Sequence, residues 1–457
     1  EPNPFGDAKP DSSLNWPFIP QFISSINNFW EIKSLNWRFF SFNNVAHFAQ
    51  SVEKMRLLTI MLRVPYPAND GGSAVMLATL NALRENGHDV VVAALNTDKH
   101  YCPPQDLQRL SPIHAVEVDT RVRLGAALRN VLFSRLPYNV SRFLSEDFSK
   151  MLGNFAKNGG FDAVLFEGTY TALYAPAVRA QTRAPMVLRA HNVESLLWQR
   201  MAATERNVLK KIFFRHLAGR IRRFEVENLP LFDGVVAITE GDEREFRRMG
   251  YRGETTVVPA TVDLTRFARQ KADIKSGAVG FLGSLDWRPN VEGLLWFLEN
   301  VWPRVRARMP GARFHVAGRR PAPDLATVLA RPGVVFHGQV DDAVEFLRPF
   351  AVTVAPLLSG GGMRVKIVEQ MALGKAVVST SVGAEGIDAK NGQEIFIADA
   401  PDEFVERVLE LLSDADKAEA AGELAAQFAA TRFDERGLAG RFESFFARWD
   451  WGGRQIS

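Results

Sequence analysis

Short apolar runs alternate with longer stretches of helical periodicity along most of the chain from Met55 onward. The short runs are rich in β-branched residues, which is typical of buried strands, and the stretches between them repeat apolar residues with a period near 3.6. This alternation predicts βαβ units around a parallel sheet. In the first half of the chain, the predicted strands lie at residues 57–62, 90–95, 163–166, 186–189 and 235–238.

A second series of the same kind follows a polar, interrupted stretch at residues 259–276, which we interpret as an interdomain linker. Its predicted strands lie at residues 278–282, 313–317, 334–336, 351–355, 376–379 and 394–397. The two series predict an α/β protein with two Rossmann-like, doubly wound domains, at residues 55–262 and 277–430. The loops at the carboxyl ends of the two parallel sheets are expected to face a common cleft, where ligands bind.

Two flanking segments complete the predicted domain organisation. Residues 1–54 are rich in Asn, Ser, Phe and Trp and form an N-terminal appendage, for which disorder and contact with a membrane interface both remain open. Residues 431–457 contain a final amphipathic run, which predicts a C-terminal helix; a return of this helix to the first domain is one arrangement.

Composition and charge narrow the class of protein. The chain has 457 residues, 46% of them hydrophobic and 23% charged, as in ordinary folded proteins. The net charge of only +3 gives no strong positive potential that would attract nucleic acid. The only cysteine, Cys102, excludes an intrachain disulfide framework. No apolar run is long enough to span a bilayer, so we expect a cytoplasmic protein.

A first candidate site is the turn that follows the opening strand. Gly71 and Gly72 precede a predicted helix at residues 73–85. Glycines let the backbone approach a ligand closely, and a helix start attracts anions such as a diphosphate. The alternative is a tight turn with Ser73 as helix cap.

The strongest candidate site lies at residues 356–375, where three glycines follow a buried strand and precede a helix. Arg364 and Lys366 place positive charge at that helix start, although the helix dipole disfavours cations there, so an anion is expected to neutralise them. Glu369 lies one turn further on and is suited to accept hydrogen bonds from two ribose hydroxyls. The alternative is a solvated helix after a glycine loop.

This segment resembles the donor-site signature of family-four glycosyltransferases of the GT-B fold, whose helix carries a Glu-Ala-Met-Ala-x-Gly-x-Pro pattern. Here it reads Glu-Gln-Met-Ala-Leu-Gly-Lys-Ala at residues 369–376. The resemblance covers nearly all of residues 55–450. It implies that Glu369 binds the donor ribose, that Arg364 and Lys366 hold the diphosphate, and that Gly361, Gly362 and Met363 line the donor site.

The resemblance also implies the reaction. We expect retaining transfer of a sugar from a nucleotide-diphosphate sugar to a hydroxyl acceptor on a glycan or lipid-linked glycan, as in polysaccharide or lipopolysaccharide assembly. No cofactor and no bound metal are expected. Gly361 stands where the family often has a second glutamate, which we interpret as a feature of a branch with a Gly-Gly-x-x-Arg-x-Lys-Ile-x-Glu loop. The alternatives are a catalytically silent nucleotide-binding homologue and a nucleotide-sugar epimerase of the same architecture.

Three further segments resemble the same branch. The Gly-x-x-x-Trp-x-Pro-Asn loop at residues 283–290 brings Arg288, expected to add charge to the donor cleft, with a turn and an Asn290 helix cap as the alternative. His191, in a His-Asn-x-Glu element, is expected to contact the transferred sugar, with a hydrogen-bonded loop histidine or helix-cap neighbour as the alternative. Glu385, in a glycine-containing loop, is a donor-site candidate or a turn cap.

Two patterns have mainly structural interpretations. Asp414 and Asp416 spell an Asp-x-Asp, which binds a divalent ion in other glycosyltransferases, but a helix cap is the better interpretation between two helical stretches. The basic amphipathic stretch at residues 210–224 is suited to contact with an anionic membrane surface. A core-facing helix with a solvated basic face is the better interpretation.

Overall fold

A computed structural model describes residues 54–67, 71–109, 113–205, 207–270, 273–319, 321 and 325–449. The predicted appendage therefore lies outside the described residues except for Lys54, and the C-terminal segment is described as far as Trp449. In the described part of the chain, no helix combines the length and the apolarity that crossing a membrane requires.

The first domain is built on a seven-stranded parallel sheet with the order β3-β2-β1-β4-β5-β6-β7. Its strands are β1 (Arg56–Met61), β2 (Asp89–Thr97), β3 (Ile113–Val118), β4 (Ala163–Glu167), β5 (Met186–Ala190), β6 (Gly234–Ala237) and β7 (Glu254–Val257). Its helices are α1 (Gly71–Glu85), α2 (Pro104–Arg109), α3 (Leu124–Phe133), α4 (Tyr138–Ser141), α5 (Glu146–Asn158), α6 (Ala175–Arg179), α7 (Glu194–Thr204), α8 (Val208–Asn228) and α9 (Glu240–Arg248).

The second domain is built on a six-stranded parallel sheet with the order β10-β9-β8-β11-β12-β13. Its strands are β8 (Ala278–Leu282), β9 (Arg313–Ala317), β10 (Val334–Phe336), β11 (Val352–Ala355), β12 (Ala376–Ser379) and β13 (Phe396–Ile397). The helices that follow β8 are α10 (Arg288–Trp296), α11 (Trp302–Arg308), α12 (Leu325–Leu329), α13 (Ala343–Leu347), α14 (Val365–Ala372), α15 (Pro401–Ser413), α16 (Ala415–Arg432) and α17 (Leu438–Phe446).

Each sheet buries apolar side chains on both faces, which is why the strands read as continuous apolar runs. On β1, Leu58 and Ile60 belong to one core, while Leu57 and Met61 belong to the core on the opposite face. The prediction of two doubly wound parallel sheets is therefore confirmed.

Several local predictions are corrected by the structure. The half-exposed strands β3 and β7 carry no continuous apolar run, so they were not predicted. The helical periodicity of residues 194–227 predicts one long helix, whereas the structure has two, α7 and α8. Helix α1 begins at Gly71, so Ser73 lies inside its first turn rather than capping it. Asn290 lies inside α10, which begins at Arg288, and is not its cap.

The prediction for Asp414 is confirmed, because it caps α16 and its side chain accepts a hydrogen bond from the Lys417 backbone amide. The final helix, α17, packs on the first domain. Phe442, Phe445 and Phe446 of this helix share a core with strands of the first sheet. The first domain is therefore completed by residues from the end of the described chain.

In each sheet the chain adds strands first toward one edge and then toward the other. This switch in strand order lies between β1 and β4 in the first domain and between β8 and β11 in the second. Ligands of doubly wound sheets bind outside the carboxyl ends of the strands at this point. The loop after β1 leads to Gly71, and the loop after β11 contains residues 356–364. Both glycine loops predicted from the sequence therefore lie at these positions.

Substitution of Gly293 by Ala tests how α10 supports the loop after β11. A Cβ atom at Gly293 would lie 2.1 Å from the carbonyl oxygen of Pro356, so this backbone contact must shift. We expect Gly293→Ala to lower the free energy of unfolding by about 1–3 kcal/mol in urea denaturation. Gly219→Ala is the matched control in α8, where no atom lies within 4 Å of the added Cβ, and it should stabilise by up to about 1 kcal/mol. Equal effects of the two variants would contradict the packing described here.

Candidate active site

The glycine loop between β11 and α14 is pressed against the first domain. Gly360 and Gly362 have φ angles of 122° and 69°, which favour glycine. A Cβ atom at Gly362 would lie 2.1 Å from Oδ1 of Asn192 and 3.0 Å from the carbonyl oxygen of His191. At Gly361 it would lie 3.6 Å from the Leu197 side chain. The predicted donor loop and the His-Asn-x-Glu element therefore meet across the cleft.

Arg364 is a buried cation that immediately precedes α14. Its Nη1 donates to the carbonyl oxygens of Gly361 and, at 2.8 Å, Gly362. Its guanidinium lies 5.8 Å from the centre of the Trp287 ring, which favours a cation–π contact. Nε and Nη2 are buried without a hydrogen-bond partner in the described residues. Burial lowers the pKa of Arg364 to about 10, yet the group stays charged at neutral pH.

Lys366 lies in the first turn of α14 and points toward the loop that follows β8. Its Nζ donates to Oδ1 of Asn290 at 2.6 Å and lies 5.4 Å from the centre of the Phe281 ring. A Cβ atom at Gly283 would lie 3.3 Å from this Nζ, so glycine leaves room for the amine. Burial, and then the charge of Arg364, lower the pKa of Lys366 to about 7.

Glu369 follows one turn later on α14. Its carboxylate has no hydrogen bond or ion pair with any described residue. Burial raises its pKa to about 7, against the opposing charges of Arg266 and Lys366. Arg364, Lys366 and Glu369 therefore form a group of two cations and one unpaired carboxylate at the amino-terminal end of one helix.

The first-domain glycines lie opposite this helix. A Cβ atom at Gly71 would lie 3.9 Å from Cγ2 of Val365, the first residue of α14. Met363, predicted at the donor site, is buried in an apolar cluster with Val75 and Ile238 of the first domain. The amino-terminal ends of α1 and α14 therefore approach each other.

Arg288 binds carboxylates and does not bring unbalanced charge to the cleft. Its Nη2 lies 2.7 Å from Oε2 of Glu205 in the first domain, and its Nε lies 2.6 Å from Oε1 of Glu292. The guanidinium also lies 5.3 Å from the centre of the Phe214 ring. Within residues 283–290, Trp287 contacts Arg364 and Asn290 contacts Lys366. Arg288 instead joins the two domains.

Glu385 is likewise engaged across the cleft. It forms a two-point ion pair with Arg200 of α7, in which Nη2 lies 2.6 Å from Oε1. Arg200 also donates to the carbonyl oxygen of Gly360 at 3.1 Å. Bidentate pairs of this kind fix orientation as well as contributing energy. Arg200 thus connects the first domain to two loops of the second.

His191 follows β5 and is held by a buried carboxylate. Its Nε2 lies 2.7 Å from Oε2 of Glu167, the last residue of β4. The other oxygen of Glu167 lies 4.0 Å from Nη1 of Arg189, which is fully buried and lies 4.9 Å from the centre of the Phe442 ring. The imidazole is therefore oriented by a carboxylate that has a counter-charge of its own.

A cavity of about 850 Å³ lies beside His191 in the first domain. Gly72 and Glu167 also line it.

Of the predicted site residues, the structure brings Gly71, Gly361, Gly362 and the α14 residues together, and it places Gly72 and His191 on the cavity wall. Arg288 and Glu385 serve ion pairs instead. The sequence alone does not assign Arg200, Asn290, Trp287 and Glu167 to the site, because their partners are distant in the chain. The Gly-x-x-x-Trp-x-Pro-Asn motif is the signal that contains Trp287 and Asn290.

Two family models match the chain. Residues 70–261 match the model of the glycosyl transferase 4-like domain, and residues 276–414 match the model of glycosyl transferases group 1. Together these ranges cover more than two thirds of the chain. Both models describe glycosyltransferases, so the chain is a glycosyltransferase. The expected enzyme class is thereby confirmed.

Solved structures share the fold of this glycosyltransferase. Anabaena Alr3699/HepE, crystallised with UDP and glucose, superposes with a TM-score of 0.61 at 14% identity, covering 86% of this chain and 100% of that one. Sucrose-phosphate synthase from Thermosynechococcus elongatus gives a TM-score of 0.63 at 16% identity, covering 86% of this chain and 99% of the other. The fold is GT-B, as predicted.

A relative in Klebsiella pneumoniae is 25% identical to the glycosyltransferase over 369 residues, which is 78% of this chain and 90% of the relative. It is described as an uncharacterized 44.6 kDa protein in the cps region.

Proposed function

We propose that the glycosyltransferase transfers a sugar from a UDP-sugar to a hydroxyl of a glycan or lipid-linked glycan, with retention and without a bound metal. The observation that carries this proposal is the group of Arg364, Lys366 and Glu369 at the start of α14. Two cations and one unpaired carboxylate on successive turns match the diphosphate and the ribose of a nucleotide. The UDP bound to Alr3699/HepE supports UDP as the nucleotide.

The diphosphate is placed between the amino-terminal ends of α14 and α1. Helix starts offer free amide groups and partial positive charge to an anion. The unpartnered Nε and Nη2 of Arg364 are available as further donors, and the Lys366 amine adds charge. The Glu369 carboxylate, one turn along α14, accepts the two ribose hydroxyls. The Arg364 guanidinium and the Glu369 carboxylate thereby obtain partners that the described residues do not supply.

The leaving diphosphate is stabilised electrostatically in this arrangement. Cations and amides that are already in place lower the energy of charge that develops as the glycosidic bond breaks. Arg364 and Lys366 take the role that a divalent ion has in metal-dependent transferases. The family resemblance supports attack by the acceptor hydroxyl from the face that the diphosphate leaves, next to His191, which is held by Glu167 to contact the sugar.

The cross-cleft contacts keep water from this centre. The Arg200–Glu385 pair and the approach of Gly362 to Asn192 close the loop after β11 onto the first domain. Closure matters because water is a competing acceptor. The Klebsiella relative in the cps region supports a role in polysaccharide assembly.

The amino-terminal half of α8 and the end of α3 support contact with an anionic membrane surface. Leu209, Ile212 and Phe133 are 78%, 58% and 83% exposed. Arg220 ties the two helices by donating to the Ser134 carbonyl oxygen at 2.6 Å. Exposed lysines and apolar side chains on one surface are typical of helices that lie on anionic lipid. A lipid-linked acceptor would be reached from such a surface.

Titration with nucleotides tests the donor site. We expect UDP to bind the full chain without metal, and Glu369→Ala to weaken binding by about tenfold, or about 1.4 kcal/mol, since the ribose loses its acceptor. Isothermal calorimetry with UDP, GDP, ADP and TDP measures this. Glu403→Ala, which removes an exposed carboxylate of α15, is the control. No binding, or equal binding by Glu369→Ala, would contradict the assignment. UDP binding without turnover of any UDP-sugar would favour the catalytically silent homologue.

The pH dependence of UDP binding tests the charges. Glu369 is ionised above its pKa of about 7, and the ionised form accepts the ribose hydroxyls, so affinity falls as pH drops below 7. Lys366 is charged below its pKa of about 7, and the charged form attracts the diphosphate, so affinity also falls as pH rises above 7. We expect an affinity maximum near pH 7. Lys366→Arg should remove the alkaline decline and Glu369→Gln the acidic one, whereas titration of UDP itself is common to all variants.

Sedimentation with vesicles tests the membrane contact. We expect the chain to bind phosphatidylglycerol vesicles and not phosphatidylcholine vesicles. Replacing both Lys210 and Lys211 by Gln should weaken binding by about tenfold or more, because each basic residue near the surface contributes about 1 kcal/mol. The matched control replaces Lys150 and Lys157 of α5 by Gln. Equal binding to both lipids would overturn the proposal.

A further inference from the structure

The cavity beside His191 is formed by first-domain residues alone. On the proposed function, the donor lies on the α14 side of the cleft, so this cavity is the space that remains for the acceptor. A neutral glycan would be held there by hydroxyl, amide and aromatic groups. The lining instead carries four cations, which are Arg63, Lys99, Arg121 and Arg142.

Two of these cations form no ion pair with a carboxylate in the described part of the chain. Arg121 is excluded, because it forms a two-point pair with Asp119. Arg142 donates from Nη1 to the carbonyl oxygen of Thr120 at 2.8 Å, and its Nε is buried without a partner. Within the described ranges of the chain, neither Arg142 nor Lys99 has an ion pair with a carboxylate. A buried guanidinium N–H without a partner is costly unless a ligand supplies an acceptor.

Lys99 faces the second domain. The pKa of Asp286 is lowered, against the effect of its burial, by the hydroxyl of Ser284 and by the charges of Arg319 and Lys99. Asp286 belongs to the loop after β8, which holds the cations of α14. Lys99 therefore lies at the side of the cavity that is nearest the donor.

The acidic residues of the lining balance only part of this charge. Asp98 is one negative charge and accepts hydrogen bonds from the amide and hydroxyl of Thr120, both at 2.8 Å. Glu167 is bound to His191 and has Arg189 as counter-charge. Burial raises the pKa of Glu194. The cavity consequently keeps an excess of positive charge.

We propose that this cavity binds an anionic group of the acceptor, a phosphate or a carboxylate, close to the hydroxyl that receives the sugar. The group would contact the Arg142 guanidinium, which lines the cavity, and balance Lys99. Its two sources are the phosphate of a lipid-linked acceptor and the carboxylate of an acidic sugar. Both present oxygen atoms to cations, and they differ in charge and shape.

Calorimetric titration of the UDP-saturated full chain distinguishes the outcomes. UDP keeps the α14 site filled, so heat on adding a second anion reports the cavity. Inorganic pyrophosphate represents a lipid-linked phosphate, glucuronate represents an acidic sugar, and glucose is the neutral probe. We expect one of the two anions to bind and glucose not to bind. Pyrophosphate binding indicates the phosphate source, and glucuronate binding indicates the acidic sugar.

Three variants complete the test. Lys99→Gln removes an exposed charge and leaves the fold intact, and Arg142→Gln removes the buried donor. Each should weaken anion binding by tenfold or more, while UDP binding stays unchanged. Arg313→Gln, at an exposed arginine of β9, is the matched control and should bind like the wild type. If neither anion binds, or if both variants bind like the wild type, the proposal is overturned. If UDP itself fails to bind, the proposed function fails instead.

Discussion

Arg364 and Lys366 are held, largely out of contact with water, at the end of α14 where the helix dipole is positive. Burial and the dipole both act against a cation there, so the surrounding chain must offset the cost. The glycine carbonyls accept from Arg364, the Trp287 ring lies against its guanidinium, and Asn290 accepts from Lys366. These contacts hold the cations without neutralising them. Their positive charge therefore remains available to stabilise an anion. In the proposed reaction that anion is the departing diphosphate.

The same loop makes the contact between the two domains. Gly362 lies against Asn192, and Arg200 reaches from α7 to Glu385 and to the carbonyl oxygen of Gly360. A side chain at Gly362 would separate the loop from the first domain, so this glycine is required for the closed arrangement. On the proposed function, donor binding and closure of the cleft therefore depend on one short segment.

The fold was predictable wherever strands are buried on both faces, because such strands read as continuous apolar runs; half-exposed β3 and β7 lack that signal. Among site residues, Glu369 could be found from the sequence because it lies on the helix that begins directly after Arg364. The role of Arg288 could not be predicted in this way. Its partner Glu205 is far away in the chain, and local sequence cannot show that its charge is already balanced. The cavity cations were missed for the same reason, since Lys99 and Arg142 come from separate loops.

The chain passes twice between the domains, and the two passages lie side by side. The backbone amide of Val262, on the outward passage, donates to the carbonyl oxygen of Phe433, on the return, at 2.9 Å. The second domain is thus an insertion within the first, whose core is completed by Phe442 and its neighbours on α17. During synthesis on the ribosome, the whole sequence of the second domain is available before that of the first domain is complete. The first domain, whose sequence is made first, can therefore complete its folding only after the second domain has been made.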